Sequence, residues 1–207
     1  MQDNQDTVST IVAVHSARGH NAAEKSSAMR TRVYDGFVKV DKVETSAGPR
    51  EVVVATDSVA FLVYNRDRDE VLLASQDRVP MMEPNNPQGT LLEVGAGRFD
   101  LEIGVRGLVV KELKEELGVT ATQDEVHVLN DEIPLALSPG VITERQYLAY
   151  VEITTDRIDP SDQLYGNHEE GEAITRHFIP VSELSKIQIH DMKTWALLQW
   201  FRARNGA

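Results

Sequence analysis

The stretch KELKEELG, Lys111 to Gly118, admits two readings. Glu and Lys at i,i+4 spacing make an ordinary solvated helix face. The same residues put Glu112, Glu115 and Glu116 at i, i+3 and i+4, on one side of a helix, where carboxylates can gather around a cation. Their neighbours bear on the choice. Val105, Leu108, Val109, Leu113 and Leu117 recur at three- and four-residue spacing, so an amphipathic helix is expected over 105–117, ended by Gly118. The glutamates lie beside that apolar stripe, not opposite it. Carboxylates at the edge of a buried surface are poorly screened and repel one another, and a divalent cation relieves the repulsion. Oxygen-only ligands select hard cations, Mg²⁺ or Mn²⁺.

Upstream stands EVGAGRF, residues 93–99. Its two glycines, at the end of a short strand TLLEV, read as a sharp turn that brings the backbone close to a ligand. The carbonyl of Ala96 can then face the same cations. Further strands are expected at 34–44, 51–56, 58–65 and from Val71, with a Gly-Pro turn at 45–50 and a loop at 81–89. TVSTIVAVHSA, residues 7–17, reads as a candidate first strand. Downstream, strands are expected at 125–137, 142–153 and 174–180. An acidic loop fills 154–173. A short helix follows at 181–186, then a C-terminal helix with Met192, Trp195, Leu198 and Phe201 along one side. Strands joined by tight turns and interleaved with helices indicate an α/β protein with a mixed sheet flanked by helices.

Composition narrows the function. The chain has 207 residues, with 21 Lys and Arg against 33 Asp and Glu, for a net charge of −12. Phosphate-gripping surfaces are basic, so no nucleic-acid partner is expected. There is no cysteine, which excludes disulfides and thiol chemistry. The apolar run IVAV is too short for a signal-peptide core or a membrane span, so no membrane partner and a cytoplasmic location are expected. Gly95-Ala96-Gly97 is not a dinucleotide fingerprint, because the third glycine position holds Asp100. The six histidines show no HExxH, so a zinc hydrolase has no support.

The run from Gly97 through Lys111-Glu112-Leu113, Glu115-Glu116 and Gly118-Val119 resembles the Nudix box without a gap. That box is a Gly, five residues, a Glu, seven residues, Arg-Glu-aliphatic, any residue, Glu-Glu, any residue, Gly-aliphatic. Two positions depart from it. Ile103 stands where the family has Glu, and Lys111 where it has Arg, whose planar fork Lys lacks. The likeness runs over roughly residues 31–203. It is nearest the branch of ADP-ribose and nucleoside-diphosphate-sugar pyrophosphatases, through Arg50-Glu51, VLLASQDRVP with Gln76 and Arg78, LSPGVITER with Gly140 and Glu144, and HEEGEAI.

The resemblance implies a Nudix α/β/α sandwich over 57–207. It adds an N-terminal antiparallel β region over 1–56 that serves dimerisation and base binding, with exchanged β regions in a homodimer. It implies Mg²⁺, with Mn²⁺ as a substitute, held by the Ala96 carbonyl, Glu112, Glu116 and Glu172. Glu115 and Lys111 would assist, and Glu170 would be the general base. Arg50 and Arg78 would contact phosphate or nucleotide, Tyr34 and Phe37 would stack on a base, and Gly140 and Glu144 would lie in the substrate loop. The implied reaction splits the diphosphate of ADP-ribose or a related NDP-sugar into a nucleoside monophosphate and a sugar phosphate. Ile103 and Lys111 motivate the alternative, a weak or inactive Nudix-like module that binds a nucleotide as a sensor.

Overall fold

The structure, a computed structural model, describes residues 29–99, 102–161, 163–167 and 171–206. The candidate strand at 7–17 lies outside the described residues. The chain divides into two compact units, Met1–Val52 and Val53–Ala207.

In the first unit, β1 (Arg30–Asp35), β2 (Lys39–Val43) and the start of β3 (Arg50–Val54) form a three-stranded sheet in that order. The sequence reading takes 34–44 as one strand. The structure breaks it into an antiparallel hairpin, because the chain reverses at Gly36, whose N–H donates to the Val38 carbonyl at 3.2 Å. Asp-Gly is a turn pair, and its signal outweighs the alternation around it. All six residues of β1 are exposed, so neither of its faces is covered.

The second unit is built on β4 (Ser58–Asn65) and β5 (Glu70–Asp77), an antiparallel pair. Their pairing runs only from Val63↔Leu72 to Asn65↔Glu70, and beyond it the strands fork. The chain enters the fork as β6 (Thr90–Glu93) alongside β5, turns at Val94, and leaves as β7 (Gly95–Arg98) alongside β4. The sequence reading ends a strand at Gly95 and places a turn on the glycines. The structure puts the turn one residue earlier and the glycines inside a strand of their own.

β10 (Arg145–Ile153) lies parallel to β4, from Gln146↔Ser58 to Ile153↔Asn65, and β11 (Thr175–Pro180) pairs antiparallel with β5. β8 (Val126–Val128) closes the far edge. The expected strand over 125–137 is broken into β8, a 3-10 turn at Asn130–Glu132, and β9 (Leu135–Ala136). All three turn residues have positive φ, a conformation that Asn and Asp tolerate and that ends a ladder.

The helix α1 (Val105–Leu117) has the expected bounds and stops at Gly118, whose φ is 60°. It covers one face of the sheet, where Leu108, Leu113 and Leu117 bury against Val59, Phe61 and Leu72. The C-terminal helix α2 (Met192–Asn205) covers the other face, with Leu197, Leu198 and Phe201 against Leu62 and Leu73. Each such side chain stabilises the fold by about 1.5–3 kcal/mol. The result is an α/β/α sandwich. The buried stripe of α2 is Thr194, Leu197, Leu198 and Phe201. Met192 and Trp195, expected on it, are 70% and 57% exposed. The reason is Thr194, a polar residue that buries because its hydroxyl accepts the Val94 N–H at 2.8 Å. Among the described residues no helix is long and apolar enough to cross a membrane.

Candidate active site

The fork positions the site. β7 lies so close to α1 that a Cβ at Gly97 would meet Glu112 Cγ at 2.4 Å and Oε1 at 2.7 Å. A Cβ at Gly95 would meet the Phe61 ring at 2.4 Å and Glu116 Oε2 at 3.1 Å. Neither glycine has a positive φ. They are required for close approach of strand to helix, not for a turn. Between them, the Ala96 N–H donates to Glu116 Oε2 at 2.9 Å. In an antiparallel pair the N–H and C=O of one residue face the same edge. The Ala96 carbonyl therefore faces the α1 side of β7 as well.

Glu116 is only 4% exposed. Burial pushes its carboxyl up to about 8. The Ala96 N–H opposes that rise, the charges of Glu112 and Glu172 add to it, and Arg78 pulls it down. Glu112 is also raised, first by burial, against the hydrogen bond and charge of Lys111, with Glu115 and Glu172 adding to it. Lys111 Nζ donates to Glu115 Oε2 at 2.8 Å and to Glu112 Oε1 at 3.1 Å. Burial works against its ammonium, but these two bonds outweigh it and raise the pKa. Lys111 thus joins the two glutamates with single bonds from one nitrogen, where the fork of an Arg would have used two.

These groups fit a hard divalent cation. All the donors are oxygens, burial raises the pKa of both Glu112 and Glu116, and the strand is pressed against them. Among the described residues no three acidic or histidine side chains are already drawn together at ligating distances. Glu112 is engaged by Lys111 and Glu116 by Ala96. A bound cation would share these carboxylates with Lys111 and the Ala96 N–H.

The loop bearing Glu172 is tied to the helix. Gly166 N–H donates to the Glu115 carbonyl at 2.9 Å, and Asn167 N–H donates to Glu172 Oε2 at 3.1 Å. Arg176 adds a staple, donating to the carbonyls of Leu117 at 2.7 Å and Asp159 at 2.9 Å. Glu170 and its neighbour Glu169 lie outside the described residues. Arg78 donates through Nε to Glu93 Oε2 at 2.8 Å. Glu144 accepts from Ser58 Oγ at 2.6 Å, and Ser58 pairs with Arg98 at the end of β7.

Ala96, Lys111, Glu112, Glu115, Glu116, Glu172 and Arg78 are thus gathered by contact or charge. Gly140 sits in an exposed turn with open space around it. Arg50, Tyr34 and Phe37 belong to the first unit. The Arg50 guanidinium donates to the Pro49 carbonyl at 2.9 Å, and Tyr34 and Phe37 are 56% and 96% exposed. Sequence reasoning missed Glu93, Lys193 and Arg176. Glu93 carried a signal, a lone carboxylate in the apolar run TLLEV, since a buried Glu needs a partner.

The raised Glu116 carboxyl has a consequence for stability. An ordinary Glu ionises near 4.5, and this one near 8 when folded. The folded chain therefore holds the proton more tightly. The stability this gives is fully present below the ordinary range and is lost as pH rises through about 8. In chelator, the melting temperature is expected to fall between pH 5 and 8.5, by an amount corresponding to a few kcal/mol. Glu116→Gln should flatten that fall. An equal slope in the variant would contradict the assignment.

No protein-family model matches the chain. The GDP-mannose pyrophosphatase of Cronobacter sakazakii is 35% identical over 162 residues, covering 75% of this chain and 78% of that protein. The GDP-mannose pyrophosphatase of Enterobacter sp. strain 638 is 32% identical over 160 residues, covering 74% and 77%. That of Pectobacterium atrosepticum is 33% identical over 154 residues, covering 72% and 75%.

Proposed function

The chain belongs to the Nudix hydrolases, in the branch of nucleoside-diphosphate-sugar pyrophosphatases, and from there we propose that it splits the diphosphate of a GDP-mannose-like NDP-sugar into a nucleoside monophosphate and a sugar phosphate. ADP-ribose is a related candidate substrate. The observation that carries the reading is the partly buried Glu112 and the buried Glu116, pressed against Gly97 and Ala96.

The proposed cofactor is Mg²⁺ or Mn²⁺, which when bound would neutralise diphosphate oxygens, polarise phosphorus and acidify water. Ala96, Glu112, Glu116 and Glu172 are its proposed holders. Lys111 bridges Glu112 and Glu115, its positive charge offsetting their repulsion. Glu170 is the proposed base that takes the proton of the attacking water, a role that rests on the resemblance. Arg78 offers its guanidinium to the diphosphate, and Arg50 to the nucleotide. Gly140 and Glu144 would shape the pocket for the attached group.

A homodimer is proposed on the strength of the first unit. Met29, Val33, Tyr34, Phe37 and Val38 are exposed on one hairpin. A strand such as β1, exposed along its whole length, is marginal by itself, and a partner copy would cover it. In that dimer Tyr34 and Phe37 are the proposed base-stacking residues. A sedimentation run that reads a monomer at micromolar concentration would contradict this.

The function is tested by incubating the purified chain with GDP-mannose, ADP-ribose and other NDP-sugars in Mg²⁺, Mn²⁺ or chelator, and separating the products. Metal-dependent release of nucleoside monophosphate is expected, with GDP-mannose among the better substrates. Binding without turnover in either cation would leave the sensor reading instead.

A further inference from the structure

Glu93, the last residue of β6, has 3% of its side chain exposed and two cations on it. Arg78 donates through Nε to Oε2, and Lys193 through Nζ to Oε1. Lys193 also reaches Asp191 Oδ1 at 3.0 Å. Asp191 is the N-cap of α2 and accepts the Thr194 N–H at 2.9 Å, while the Thr194 hydroxyl accepts the Val94 N–H. The first turn of α2 therefore grips Glu93 by its side chain and Val94 by its backbone. Both lie just before Ala96 in the fork.

A buried carboxylate with a single Arg partner closes a two-bond fork with it. Glu93 does not, because Lys193 holds its second oxygen. Arg78 is bound through Nε, and among the described residues no hydrogen bond engages its Nη1 or Nη2. Its charge acts on Glu116, and its partner Glu93 ends the strand that leads through Val94 into β7 beside α1. Lys193 puts a second positive charge on Glu93, so Arg78 does not neutralise that carboxylate alone.

We propose that Lys193 is a positioning residue for substrate binding: by occupying one oxygen of Glu93 it keeps the guanidinium ends of Arg78 free for the diphosphate. The inference rests on the reading of the site given under the proposed function. Without Lys193, the vacated oxygen is buried and needs a donor. Arg78 is the cation in reach, and it turns to close both oxygens of Glu93. The diphosphate then loses charge-assisted bonds that form on binding.

The test is steady-state kinetics on GDP-mannose. Lys193→Met is expected to raise KM about tenfold with kcat within about twofold of wild type. Lys193→Arg keeps charge and donors and should restore the wild-type KM. A merely structural role would lower the melting temperature and the active fraction, and so kcat, with KM unmoved. Asp191→Asn serves if Lys193→Met does not fold, because Asn still caps the helix. It releases Lys193 wholly to Glu93 and should leave KM at or below the wild-type value, whereas a raised KM would overturn the inference. A wild-type chain that turns over no NDP-sugar overturns the diphosphate reading and this inference with it. Wild-type turnover with an unmoved KM in Lys193→Met overturns this inference alone.

Discussion

Glu116→Gln is expected to lower turnover of GDP-mannose by roughly 10³-fold while leaving the fold intact. Gln has the size of Glu, and its amide oxygen can still accept the Ala96 N–H that now bonds Oε2 at 2.9 Å. What it lacks is the negative charge. That charge is costly in the buried site, where burial and the charges of Glu112 and Glu172 press Glu116 toward protonation. The variant should therefore be as stable as wild type at neutral pH, or more so. Loss of the charge proposed to hold the metal would remove several kcal/mol of transition-state stabilisation, hence the size of the expected effect. Circular dichroism and kinetics on the same preparation check both halves. Wild-type turnover in the variant would remove Glu116 from the site.

Gly97→Ala should cost about 100-fold in turnover with only a few degrees of melting temperature. The new Cβ would lie 2.4 Å from Glu112 Cγ. That atom is near the root of the side chain, so its charged end cannot simply swing aside. Either Glu112 changes rotamer or β7 shifts from its pairing with β4 at Val59↔Gly97. Both displace a carboxylate from a geometry that tolerates little error. Gly95→Ala separates the two effects. Its Cβ would meet the ring of Phe61, a fully buried core residue, and overpacking there costs about 1–3 kcal/mol of stability. The Gly97 variant should lose mainly rate and the Gly95 variant mainly stability. Equal losses of stability, or full activity in Gly97→Ala, would contradict the contact.

The helix at the centre of the site was legible because its apolar stripe has one period throughout, and Val105, Leu108, Val109, Leu113 and Leu117 are all buried. The glutamates were legible as a group because they share that helix. The fork was not. EVGAG reads as a turn because glycines commonly serve turns, and nothing local says that a strand must fit between two others. Close approach is a tertiary demand, visible only once Glu112 and Phe61 stand opposite the glycines. The hairpin at Gly36 was hidden by alternation on both sides of it. The buried face of α2 was misplaced because Thr194 buries through a hydrogen bond that hydrophobicity does not register. For the same reason Lys193 and Glu93 went unread. They are 100 residues apart and become partners only across the sandwich.

Lys111, where the family pattern has Arg, now has a defined place. It links Glu112 and Glu115 at 3.1 and 2.8 Å and holds its proton firmly. It also competes for Glu112 with any cation bound there. The most direct measurement is a titration of Mn²⁺ into wild type and Glu116→Gln, with free Mn²⁺ read by electron paramagnetic resonance and GDP-mannose turnover read in the same samples. Wild-type turnover should rise in step with bound Mn²⁺, and the variant should lose both together. Full turnover with no bound Mn²⁺, or undiminished Mn²⁺ binding in the variant, would contradict a metal-dependent hydrolase built on Glu112 and Glu116.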